Sequence, residues 1–223
     1  MSEIEWSPEV SRMYAAYMEQ NLRYDHRPWA ERVVRDLPEQ RPGMVLLDVA
    51  GGPAFLSLEV AALLARPRVI VTDLSPTMLE IARERAAART SQIETRVCPA
   101  DKLDVPEGSI DIAVCKHFVR LARDVDAVFA EMGRVLKPGG RAYIIDFDGE
   151  APWLTGQLLE IWVRLTAPRF LREGFTASRR SGLPFSSLPA RLTAAGLKDA
   201  VVLRRGVASM VRAVRPSPAR PDG

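Results

Sequence analysis

LLDVAGGPAF, residues 46–55, runs an apolar segment into Asp48, turns through Gly51-Gly52 and becomes apolar again at Phe55. This is the pattern of a buried strand that ends in a tight turn and leads into a helix. Glycine lets the chain turn sharply and lets a ligand come close to the backbone. Such a turn can serve a phosphate, a dinucleotide or an adenosyl group. A phosphate loop needs GxxxxGK[ST], and no such lysine is present. A dinucleotide turn needs GxGxxG, whereas this one reads Ala50-Gly51-Gly52-Pro53-Ala54. Pro53 also removes a backbone donor near the place a pyrophosphate would occupy.

Asp48 points to a different ligand. A carboxylate at the strand end repels a diphosphate and favours a cation such as an α-ammonium group. Asp73 ends the next apolar run, 21 residues after Gly52, where a carboxylate can take both hydroxyls of a ribose. The pocket therefore expects a ribose and a cation without a phosphate, and S-adenosylmethionine (SAM) meets those demands.

Around this stretch, strands and helices alternate. An amphipathic helix carries Val10, Met13, Tyr14, Tyr17 and Met18, and a second runs from about Pro28 to Leu37. After the strand MVLLDV come a helix over Leu56–Ala65 and a strand over Arg68–Asp73. Ser75-Pro76 then caps a helix that reaches about Ala88. Strands at Glu94–Cys98 and Asp111–Cys115 follow, then a helix over Asp124–Leu136 that KPGG (137–140) ends, and a strand over Arg141–Asp146. The rhythm implies an α/β fold, a parallel sheet with helices on both faces. Past Asp146 it breaks. Residues 152–170 read as a helix with Leu154, Leu158, Ile161, Trp162 and Leu165 on one side. A loop, a short helix near Pro189–Ala195 and a hairpin about Arg205-Gly206 follow. The tail RPSPARPDG reads as disordered.

LLDVAGGPAFLSLEVA, VIVTDLSPTMLEIAR, PADKLDVPEGSIDIAV and EMGRVLKPGGRAYIIDF, in this order and spacing, resemble the successive motifs of class I SAM-dependent methyltransferases over residues 24–147. HRPW (26–29) and DVAGG bring the pattern nearest to the menaquinone/ubiquinone-biosynthesis C-methyltransferases. The resemblance implies a Rossmann-like, doubly wound sheet of seven strands with the last antiparallel. It implies one domain over residues 1–215, with an N-terminal helical lid (1–40), a substrate-lid insertion after strand five (150–195) and a tail at 216–223. Asp48 and the Ala50, Gly51, Gly52 and Pro53 turn would hold the methionine end of SAM. Asp73 would hold the ribose, Leu74 and Met78 the adenine, and Ala100 and Asp101 its amino group. Lys116 would lie beneath the cofactor by its backbone. The sequence departs from the family at Pro53, which replaces a threonine, at Pro99, which replaces an acid, and at Ala54. Ala54 replaces a glycine and is tolerated if its φ is negative. Of the family's G-L-R-N segment, Phe118-Val119-Arg120-Leu121 keeps the arginine.

Methyl transfer is an in-line displacement in which the cofactor brings the reactivity and the protein aligns the groups. A base is needed only where the nucleophile arrives protonated. His117 and Asp146, at the ends of strands four and five, are the candidates for base or substrate orientation. Tyr24 is the candidate for closing over SAM. Each also has a plain structural reading: packing for His117 and Tyr24, a backbone cap for Asp146. His26 has the same ambiguity between packing and lid contact.

The expected function is methylation of a small-molecule acceptor on carbon, oxygen or nitrogen in a biosynthetic or natural-product pathway, releasing S-adenosylhomocysteine (SAH). Two alternatives are a non-methylating SAM or SAH binder and an RNA methyltransferase. Base N-methylation normally uses [DNS]PP[YFW] after the fourth strand, where this chain has CKHF. An NAD-linked reductase is disfavoured by Asp48 and the absent GxGxxG.

Composition bounds the rest. With 223 residues and 47% hydrophobic content the chain can build one sizeable core. Without a signal-peptide pattern or an apolar run of about 18–20 residues, it reads as cytoplasmic. Cys98 and Cys115 form no CxxC pair and read as buried thiols, with no metal site expected. Net charge is +3, but residues 161–223 carry twelve Lys/Arg against three acids. That half is therefore +9 and the rest −6. It is either a solvated arginine surface or one that attracts an anion, a membrane surface or an acidic peptide. The acceptor is expected to be aromatic or anionic, with no nucleic-acid partner, and a homodimer is admissible.

Overall fold

The computed structural model describes residues 7–21, 23–169, 171–172, 176 and 182–217. Among these, seven strands form one sheet: β1 (Val45–Asp48), β2 (Arg68–Asp73), β3 (Ile93–Val97), β4 (Ile110–Lys116), β5 (Leu136–Phe147), β6 (Lys198–Arg205) and β7 (Ala208–Val214). Their order is β3-β2-β1-β4-β5-β7-β6, and β7 alone runs antiparallel to its neighbours. The helices are α1 (Pro8–Asn21), α2 (Arg23–Asp36), α3 (Phe55–Ala61), α4 (Pro76–Ala88), α5 (Val125–Val135), α6 (Trp153–Thr166) and α7 (Leu188–Ala194).

The central strands are continuous apolar runs because both faces of the sheet are covered. Successive residues feed opposite cores. Leu46, Val71, Val114 and Ile145 pack on the side of α2, α3 and α4. Leu47, Ile70, Cys115 and Ile144 pack on the side of α5 and α7. Cys98 and Cys115 are buried free thiols. A third, smaller cluster joins α1, α3 and α6 through Tyr17, Met18, Phe55 and Val163. β1 lies between β2 and β4, so the chain order reverses there and a crevice opens outside the carboxyl ends of β1 and β4.

Several boundaries differ from the sequence reading for physical reasons. α2 begins at Arg23, so Pro28 lies inside it and one helical hydrogen bond is unmade. Tertiary contacts of Asp25 and His26, described below, hold that first turn. KPGG does not end α5. The helix stops at Val135 because Leu136 already pairs with Ile110, and the glycines form a bulge within β5. The cap at Ser75 is as the sequence indicates, its side chain accepting the Met78 N–H, and Asp124, expected as the first helical residue, caps α5 by accepting the Ala127 N–H. α6 is shorter than the expected 152–170. Of the apolar set on its one side, only Trp162 packs inward, while Leu154, Leu158, Ile161 and Leu165 face solvent. Phe170, Phe175 and the tail from 218 lie outside the described residues.

Candidate functional site

The glycine turn is built on left-handed backbone at every second residue. Ala50, Gly52 and Ala54 have φ of 51°, 50° and 59°. The condition named for tolerating Ala54, a negative φ, is therefore not met. Alanine in this region is disfavoured by roughly 1–2 kcal/mol, and Ala54 is held there because its methyl is buried in the α2–α4 core. Asp48 folds beneath the turn, where the Ser57 hydroxyl of α3 donates to its Oδ2 at 2.5 Å. Gly51 must be glycine, since a Cβ there would stand 2.5 Å from the Asp48 Cγ. Burial pushes the Asp48 carboxyl up to about 7; the Ser57 hydroxyl opposes this and the Asp73 charge adds to it.

Asp73 stands across the turn. Its Oδ2 accepts the Gly52 N–H and its Oδ1 the Ser75 N–H, both at 2.9 Å. Burial pushes its carboxyl up while these amides resist. A Cβ at Gly52 would lie 3.9 Å from Asp73 Oδ2 and 4.0 Å from Met78 Sδ, in ordinary van der Waals contact with both. Leu74 beside it is 65% exposed, although Met78 is buried. The segment that carries Ala100 and Asp101 is tied to the same edge by the Cys98 N–H on the Asp73 carbonyl at 3.3 Å. Ala100 is buried and Asp101 exposed.

The other rim is formed by β4 and β5. Lys116 is buried, and its ammonium donates to Asp25 Oδ2 at 2.5 Å and to His26 Nδ1 at 2.9 Å. Burial pulls the Lys116 pKa down against the pull of Asp25. For Asp25, burial is outweighed by Lys116 and His117, which hold its carboxyl at about 2. Burial and the Lys116 charge press His26 to about 2, so it is the neutral acceptor in this trio. The His26 ring stacks on Phe55 with centroids 4.9 Å apart, and the Arg85 guanidinium lies 3.9 Å from the Phe55 centroid. Lys116 thus contributes a side-chain anchor for α2 that its expected backbone role did not include.

His117 is left-handed at φ 59°, and its N–H donates to the Ile145 carbonyl at 2.8 Å. A non-glycine residue in this conformation is uncommon. Its ring leans on Phe147 with centroids 4.9 Å apart. Its Nδ1 is 3.6 Å from Asp146 Oδ1, longer than a hydrogen bond. Burial and the Lys116 charge lower its pKa while Asp146 raises it, and the net shift is downward. Asp146 is buried and ion-paired with Arg120, and it also accepts the Phe147 N–H at 2.8 Å. Burial raises the Asp146 carboxyl, but His117 and Arg120 outweigh it and hold the group below the usual carboxylate range. The two shifts leave His117 a neutral ring and Asp146 an anion. Tyr14 of α1 reaches between the rims. Burial pushes its phenol up to about 12, and the charges of Arg120 and Asp73 act on it. The side chain of Tyr24 lies outside the described part of α2.

The structure thus gathers Asp48, the 50–53 turn, Asp73, Leu74 and Met78 on one rim, and Lys116, His117 and Asp146 on the other. Sequence reasoning missed Ser57, Asp25 and Phe55. Asp25 stands next to His26 in DHRPW and was open to the same reading. Ser57 gives no signal until α3 places it under Asp48.

Residues 46–140 match the family described as methyltransferase domain. The chain is 30% identical over 143 residues to the demethylmenaquinone methyltransferase of Deinococcus radiodurans, covering 64% of this chain and 59% of that one. It is 34% identical over 145 residues to the ubiquinone/menaquinone biosynthesis C-methyltransferase UbiE of Acidiphilium cryptum, covering 64% and 57%. The chain thus spans somewhat less than two thirds of the length of these curated relatives. In structure, the chain superposes on a SAM-dependent methyltransferase from Aquifex aeolicus with a TM-score of 0.71, at 17% identity, over 95% of this chain and 100% of that one. A second such structure, described as a putative S-adenosyl-L-methionine-dependent methyltransferase from Methanococcus maripaludis, gives 0.75 at 18% identity over 99% of both chains. The fold is the class I fold of SAM-dependent methyltransferases.

Proposed function

We propose that this chain is a SAM-dependent methyltransferase that methylates a small aromatic acceptor of the phenol or quinol type, with ring carbon as the favoured acceptor atom. The observation that carries the reading is the pair of carboxylates, Asp48 and Asp73, on adjacent strand ends around a left-handed turn, with Asp73 and Met78 lying over Gly52 without crowding it. These residues fit SAM: a cation finds Asp48, a ribose finds Asp73, and an adenine finds the exposed Leu74. The choice of acceptor rests on the names of the quinone-biosynthesis relatives.

When bound, SAM supplies a methyl group made electrophilic by its sulfonium. The chain's own residues do the rest. Asp48 and the turn fix the amino-acid end, Asp73 the ribose, and Ala100 and Asp101 the adenine edge. His117, neutral because it is buried, accepts the phenolic proton, and the ring carbon gains the electron density needed for attack. Asp146, fixed by Arg120, steadies the resulting imidazolium. Tyr14 excludes water.

Calorimetric titration with SAM and SAH, with NAD as control, tests the cofactor reading. Micromolar binding of the adenosyl ligands alone is expected, and no adenosyl binding would overturn it. For the base, His117→Ala should leave SAH affinity unchanged and lower turnover of a phenolic acceptor by about 10²–10⁴-fold. Equal turnover in the variant would make His117 a packing residue.

A further inference from the structure

The outer face of α6 is the largest anomaly on the described surface. Its inner face is ordinary, with Gly156, Glu160 and Val163 buried and Leu159 and Trp162 packed toward Tyr17, Met18 and Phe55. Trp153, at the start of the helix, is 73% exposed, and on the opposite side Leu154, Leu158, Ile161 and Leu165 are 61, 60, 54 and 78% exposed. The last four repeat at 4-3-4 spacing and make one continuous stripe. A helix that is apolar on both faces wants a second apolar partner.

The charges say which partner. The one acid of α6, Glu160, is buried on the inner face, so the outer face carries no carboxylate. Arg164 and Arg169, at its carboxyl end, are exposed and have no acidic partner among the described residues, and exposed Arg172 follows. A 14-residue helix is about 21 Å long. It is too short to cross a bilayer, which takes about 20 residues, and no helix among the described residues is long and apolar enough to do so. One face of such a helix also falls well short of the roughly 800 Å² per partner that a stable dimer buries. An apolar stripe with a tryptophan at one end and arginines at the other suits the boundary between headgroups and acyl chains.

We propose that α6 docks the protein on an anionic lipid bilayer, lying in its plane with the Leu154–Leu165 stripe inserted and the arginines on lipid phosphates. Because the inner face of α6 packs on Phe55, next to the glycine turn, the docked helix also brings the crevice to the membrane surface. A lipid-soluble acceptor could then be taken up without crossing water. Docking itself does not depend on which acceptor is methylated.

The test is co-sedimentation with vesicles of phosphatidylcholine alone and of phosphatidylcholine mixed with phosphatidylglycerol. The wild type should partition onto the anionic vesicles, less onto neutral ones, and less in high salt. Leu158→Glu/Ile161→Glu should lower partition by about tenfold or more, and Arg164→Glu/Arg169→Glu should lower it only on anionic vesicles. All four positions are exposed, and SAH titration of each variant checks that the fold and cofactor site persist. That control also separates failure of docking from failure of the methyltransferase reading. No partition of the wild type, or partition unchanged in Leu158→Glu/Ile161→Glu, would overturn the proposal. So would a dimer in sedimentation velocity that this double variant splits while vesicles remain unbound, since the stripe would then join two copies.

Discussion

Asp73→Ala should lower SAH affinity by at least about a hundredfold, because two ribose hydroxyls lose a charged acceptor at about 1.5–3 kcal/mol for each bond. Part of the loss arises before any ligand arrives. The Asp73 carboxylate also holds the Gly52 and Ser75 amides, so its removal loosens the turn and the start of α4 together. Asp73→Asn separates the two contributions. It keeps one carbonyl oxygen for an amide but has no charge, and should fall between the wild type and the alanine variant. Calorimetry with SAH, beside a thermal melt, reads both. Wild-type affinity in Asp73→Ala would refute the ribose placement.

Asp48→Asn should stabilise the free protein and impair cofactor binding at once. Burial lifts the Asp48 carboxyl to about 7 in the folded chain, whereas an unfolded aspartate titrates near about 4. Between those values the folded state holds a proton that the unfolded state has released. Stability from this group therefore falls as pH rises through the window and levels off above about 7. Asparagine removes the dependence. The variant should exceed the wild type by roughly 2–4 kcal/mol at about pH 8, and the gap should close toward about pH 4. SAH binding should weaken in the variant, because an ammonium group loses its anion. Wild-type affinity should rise with pH and flatten above about 7, where the carboxylate needs no ligand to ionise. Thermal denaturation at the two ends of this range, with SAH titration alongside, checks both halves. An equal gap at both ends would exclude Asp48 as the titrating group, and unchanged binding would remove it from the site.

These effects show where sequence was legible and where it was not. The sheet could be read because its strands are continuous apolar runs and Ser75-Pro76 is a local cap. Asp48 and Asp73 could be placed because strand ends and glycine turns are local features. What the sequence hid was long-range. Asp25 and His26 begin α2 ahead of Pro28 because buried Lys116, 90 residues on from His26, holds them there. The outward stripe of α6 has the same periodicity as an inward one, and only the packed structure tells them apart. The sign of φ at Ala54 was likewise beyond composition, since an alanine is normally evidence against left-handed backbone.

That last feature bears on how the pocket works from day to day. Glycines at 50 and 54 would adopt the left-handed turn with less strain, but they would also leave the free chain many other shapes. Alanine narrows those alternatives. A turn that forms at all forms in one conformation, stiffened by composition and locked by the Gly52–Asp73 bond. Its ordering is completed when the domain folds and is not repeated each time a cofactor arrives, so the site is preorganised.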